Sequence, residues 1–93
     1  SVSEAKRIVL RGLRGHPARV YLFGSRARGD ARESSDLDVA VLPLEPLPIG
    51  LLSTIREQLE ESHIPFTVDL VDLSEAGGAF RRAVEREGRL WTG

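Results

Sequence analysis

The sequence predicts a small α/β domain of the α+β kind, with a mixed β-sheet covered by helices mainly on one face. Three observations carry this expectation. Runs rich in β-branched and aromatic residues at 18–23, 36–42 and 66–73 read as strands. Helical stripes of apolar residues lie before the first run, between the second and third, and after the third. The second and third runs also alternate, so each offers one apolar face for helices to cover.

Ser3 is placed to cap a first helix, with Ala5, Ile8, Val9 and Leu13 on one face. "GHP" at 15–17 stops it. "ARVYLF" (18–23) reads as a buried strand that Gly24 ends, and "DLDVAVL" (36–42) as a second strand. "PLEPLPIG" (43–50) holds three of the five prolines and is a loop. Leu51, Leu52, Ile55 and Leu59 make the next helical stripe, with Arg56, Glu57, Glu60 and Glu61 largely outside it. "HIP" ends that helix, and "FTVDLVDL" (66–73) is a third strand. Ser74 is expected to cap a last helix through Phe80, Ala83 and Val84, closed by Gly88 and weakened by Gly77 and Gly78. "RLWTG" is a tail or a short edge strand. The order is α-β-(turn)-β-α-β-α.

The 93 residues fit one domain, 1–93. A hydrophobic fraction of 41% and a charged fraction of 29% are those of an ordinary globular protein. The net charge of −1 gives no general attraction to nucleic acid. Without cysteine there is neither a disulfide framework nor a thiolate metal site, which suits a cytoplasmic location. No apolar run approaches the roughly 20 residues of a membrane span. The opening "SVSEAKRIVL" lacks the basic leader and apolar core of a secretory signal.

Alternation separates Leu37, Val39 and Val41 from Asp36 and Asp38, and Phe66, Val68 and Leu70 from Thr67, Asp69 and Val71. Pairing the two strands would bring Asp36, Asp38 and Asp69 onto one open surface. Asp72 has the opposite parity to Asp69 and is expected at the strand end as a solvated or capping residue. Three carboxylates on one patch repel each other unless a cation intervenes. Hard oxygen ligands suit Mg²⁺, which completes its shell with water and substrate phosphates. A solvated sheet edge would explain Asp-x-Asp alone.

Gly24 ends an apolar strand, and Ser25 follows it. A glycine there allows close approach of backbone to a ligand. If "SRARGDAR" starts a helix, its free N–H groups can hold phosphate, with the Ser25 hydroxyl as a further donor and Arg26 and Arg28 as added charge. A turn with solvated arginines is the plain alternative.

Together these signals are specific. Gly24-Ser25, ten residues, then Asp36-Leu37-Asp38, with Asp69 in a later strand, resembles the minimal nucleotidyltransferases of the DNA polymerase β superfamily, whose motif is G-S-x(10)-D-x-D. The resemblance implies two-metal transfer of a nucleoside monophosphate, with AMP from ATP the expected case, and release of pyrophosphate. It assigns Asp36 and Asp38 to two Mg²⁺ ions, and Asp69 to one metal and to the proton of the attacking hydroxyl. Gly24 and Ser25 would grip the β- and γ-phosphates. It also implies a helical HEPN-domain partner, which such proteins neutralise as antitoxins, some by transferring AMP to it. Larger relatives carry an acceptor-binding domain, which a chain of 93 residues is expected to lack. The alternative is therefore an antitoxin that neutralises its partner by contact. A stand-alone RNA-binding domain is disfavoured by net charge and few aromatics, and an exposed edge strand would permit a homo-oligomer. His16 and His63 read as structural or solvated, and Trp91 as packing.

Overall fold

The computed structural model describes residues 2–24 and 36–91. Its elements are α1 (Val2–Gly12), β1 (Ala18–Phe23), β2 (Leu37–Pro43), α2 (Leu51–Glu61), β3 (Val68–Asp72), a 3₁₀ turn (Leu73–Glu75), α3 (Gly78–Glu87) and β4 (Arg89–Leu90). The sheet order is β3-β2-β1-β4. β1 runs antiparallel to both β2 and β4, and β2 runs parallel to β3 across the α2 connection. This is the mixed sheet with helices that the sequence predicts.

The apolar stripes set the layers. Ala5, Ile8 and Val9 of α1 and Ile55 and Leu59 of α2 are buried against Val20, Leu22, Leu37, Val39, Val41 and Leu70 of the sheet. Leu37, Val39 and Val41 have no exposed surface, so the back face of β2 is wholly core. α3 lies across the other face. There Val84 packs with Tyr21, Ala40, Leu42 and Leu73, while Phe23 and Ala76 are partly buried against the same group. Among the described residues that second core is small and does not include the start of β2. Trp91 packs at the edge of the main core, and its backbone N–H donates to the Val20 carbonyl at 2.6 Å.

Local details depart from expectation at the starts of two helices. α1 begins at Val2, so Ser3 lies inside its first turn. Ser74 does not cap the last helix. It sits in the 3₁₀ turn, where the Asp72 carboxylate accepts from the Ser74 N–H at 2.9 Å and from its hydroxyl at 2.6 Å. Asp72 is thus the capping residue its parity suggested, and α3 starts later, at Gly78 with Gly77 before it. The two glycines mark the entry of the helix, where their low propensity costs less than in its interior. The closing "RL" is a true edge strand, with Tyr21 opposite Leu90 and Leu22 opposite Arg89.

Gly88 makes the tight passage from α3 into β4. Its N–H caps the helix by donating to the Val84 carbonyl at 2.7 Å. A Cβ there would stand 2.6 Å from the same carbonyl oxygen and 3.2 Å from the Leu22 carbonyl oxygen. Both obstacles are backbone, which cannot swing aside. Gly88→Ala is therefore expected to destabilise the fold by about 1–3 kcal/mol, the usual cost of overpacking, read as a lower urea midpoint.

Candidate active site

The strand register assembles the site. Phe23 lies opposite Asp38 across β1 and β2, and Asp38 lies opposite Asp69 across β2 and β3. Directly opposed residues project to the same face of a sheet, so Phe23, Asp38 and Asp69 form one row across three strands. Asp36 precedes β2 by one residue and shares the parity of Asp38. This is the carboxylate surface expected from alternation. Asp36 and Asp69 are exposed, while Asp38, in the middle of the row, is half-buried.

Gly24 completes the arrangement. It leaves β1 with φ +77°, in the left-handed region that favours glycine. A Cβ at Gly24 would collide with the Asp38 carboxylate. The chain therefore turns away from β1 in contact with the central carboxylate, and only a glycine leaves that space free. Ser25, Arg26 and Arg28, the other expected phosphate contacts, lie outside the described residues.

The electrostatics follow from the row. Burial first, then the charge of Asp69, then that of Asp36, push the Asp38 carboxyl above its ordinary value of 3.8. The donor set is entirely hard oxygen, which fits a divalent cation of the Mg²⁺ class. Among the described residues no three acidic or imidazole side chains are already gathered into a metal-binding cluster. Carboxylate oxygens as a class suit a cation whose shell is finished by water and phosphate oxygens. His16 is half-buried, with its backbone N–H donating to the Leu13 carbonyl, and His63 is exposed.

Two contributions were not read from sequence. Arg56, read as lying outside the apolar stripe of its helix, donates from Nε and Nη2 to the Leu70 carbonyl at 3.3 and 2.9 Å, and so braces the residue after Asp69. Phe80 of α3 meets Phe23 edge to face, with ring centroids 5.7 Å apart. The position of Phe23 beside the glycine was the available signal for the second.

Residues 12–92 match the family described as Polymerase beta, Nucleotidyltransferase. The chain belongs to this nucleotidyltransferase family. It is 37% identical over 67 residues to the probable protein adenylyltransferase MntA of Haemophilus influenzae, covering 72% of this chain and 59% of that protein. The chain thus spans well under two thirds of that relative's length. A solved structure of a minimal nucleotidyltransferase aligns with a TM-score of 0.72 at 33% identity, over 94% of this chain and 89% of the other. The structure of a tri-AMPylated HEPN toxin from Shewanella oneidensis in complex with MNT antitoxin aligns with a TM-score of 0.65 at 26% identity, over 98% and 71% of the two chains. No helix among the described residues of this nucleotidyltransferase-family chain is long and apolar enough to cross a membrane.

The raised Asp38 value fixes the sign of a pH dependence. The folded state holds the Asp38 proton more tightly than the unfolded chain. This contribution to stability is complete below 3.8 and lost as pH rises through the higher folded value. In metal-free protein, Asp38→Asn is expected to be more stable than wild type at pH 7. That advantage should shrink as pH falls through the acid range, measured by urea denaturation at several pH values.

Proposed function

We propose that the chain transfers a nucleoside monophosphate, AMP from ATP in the expected case, to a hydroxyl group on a HEPN-domain partner protein. The observation that carries this reading is the contact geometry at Asp38, with Asp69 directly beside it in register and the Gly24 turn closed against it. The likeness to a protein adenylyltransferase and to an antitoxin seated on an AMPylated HEPN toxin supports the choice of acceptor.

Each residue has a separate task. Gly24 presents backbone to the β- and γ-phosphates, with Ser25 as a hydroxyl donor and Arg26 and Arg28 as charge. Asp36 and Asp38 would hold two divalent cations, and Asp69 would share one of them. When bound, such cations neutralise the triphosphate and stabilise the charge that develops on the attacking and leaving oxygens. The acceptor oxygen forms a bond to the α-phosphorus while the bond from that phosphorus to the bridging oxygen breaks. Pyrophosphate departs with that oxygen, and the acceptor's proton passes to Asp69. The exposure of Asp69 suits it to meet a hydroxyl arriving from another molecule.

Gly24→Val is expected to weaken nucleotide binding, because its side chain would occupy the space of the Asp38 carboxylate from a strained φ. A folded Gly24→Val protein with wild-type affinity for ATP in Mg²⁺ would remove the phosphate turn from the proposal.

The deciding experiment incubates the chain with labelled ATP, Mg²⁺ and the HEPN protein, then weighs the HEPN protein by mass spectrometry. Wild type is expected to add AMP. Asp38→Asn keeps the size of the side chain but removes its charge, so transfer should be abolished while partner affinity persists. If Asp38→Asn neutralised the partner fully, and no nucleotide were ever found on it, the protein would instead be an antitoxin acting by contact.

A further inference from the structure

Phosphate binding and proton transfer leave one feature beside the carboxylates unused. A notch of about 130 Å³ opens between the end of β1 and α3, lined by Phe23, Gly24, Phe80, Ala83, Val84 and Glu87. It is far smaller than the roughly 300–1,000 Å³ of a pocket that encloses a whole ligand. It has room for part of one.

The lining says which part. Among the described residues its only charged member is Glu87, which repels phosphate, and the other five present carbon or backbone. Phe80 is the telling residue. Val84, one turn later on the same helical face, is 3% exposed and anchors α3 to the sheet, whereas Phe80 is 42% exposed. Its ring stands at 83° to that of Phe23, in the edge-to-face contact that fixes an aromatic group without burying it. Phe23 is itself the residue opposite Asp38. An aromatic ledge, held by a second ring, therefore borders both the phosphate turn and the carboxylate row. Its surface suits a flat, neutral group that remains attached to a phosphate chain.

We propose that Phe80, backed by Phe23, is a specificity-determining contact that holds the nucleoside half of the triphosphate. This inference rests on the nucleotidyl-transfer reading of Gly24 and Asp38. It adds that the chain grips both ends of its nucleotide, and that discrimination between nucleotide and free polyphosphate resides on α3.

The test compares ATP with inorganic tripolyphosphate, which keeps the charge and lacks the nucleoside. Binding of each in Mn²⁺ is measured by calorimetry for the full chain, for Phe80→Ala and for Phe80→Tyr. Wild type should bind ATP more tightly than tripolyphosphate. Phe80→Ala should lose roughly tenfold in ATP affinity, the scale of one lost stacking contact, with tripolyphosphate affinity unchanged. Phe80→Tyr keeps the ring and should keep wild-type ATP affinity. Unchanged ATP affinity in Phe80→Ala, equal losses for both ligands, or a Phe80→Tyr as weak as Phe80→Ala would each overturn the inference. So would a Phe80→Ala that weakens HEPN-protein binding alone, which would make the notch a protein contact. Failure of the underlying reading looks different, because wild type would then bind neither ATP nor tripolyphosphate.

Discussion

The register between β1, β2 and β3 is the constraint on which the site depends. It is enforced from behind. Leu37, Val39 and Val41 are completely buried under α1 and α2, so β2 has one acceptable phase. A slip of one residue would drive Asp36 and Asp38 into that core and expose the valines. The hydrophobic layer thus does for the carboxylates what no bond between them could do. It holds like charges side by side on the opposite face, where electrostatics alone would separate them.

The front face is divided. Tyr21, Ala40 and Leu42 lie beneath α3 and the 3₁₀ turn, while Asp38 is half-buried and Asp69 exposed. A fully covered front would be more stable but would seal the carboxylates from any phosphate. A fully open one would leave Tyr21 and Leu42 in water. The short α3, anchored by Val84, settles between these demands. The raised proton affinity of Asp38 measures what remains of the conflict, with burial as its first cause and the neighbouring aspartates after it.

Much of this was legible because strand alternation is a strict two-residue rule. It separated Asp36 and Asp38 from the core valines, placed Asp69 with them, and set Asp72 apart as a cap. The motif spacing then supplied the family. The start of α3 was harder to read. Ser74 and Asp72 are both good caps, and the choice between them depends on whether the chain after β3 enters a 3₁₀ turn, which tertiary packing of Leu73 decides. Phe80 was read only as a helix-face residue, because its relation to Phe23 exists only once α3 crosses the front of the sheet. Arg56 was read only as lying outside the apolar stripe of its helix, since a hydrogen bond to a carbonyl on another element leaves no trace in periodicity. Ser25, Arg26 and Arg28 stand as sequence expectations outside the described residues.

The reach of Arg56 to the Leu70 carbonyl has a consequence for assembly. β3 is a border strand, and a border strand with free carbonyls is a template on which another chain can extend the sheet. Here a guanidinium already occupies one rung of that template. An incoming strand would have to evict that two-pronged donor. The β3 border therefore discourages growth by strand addition.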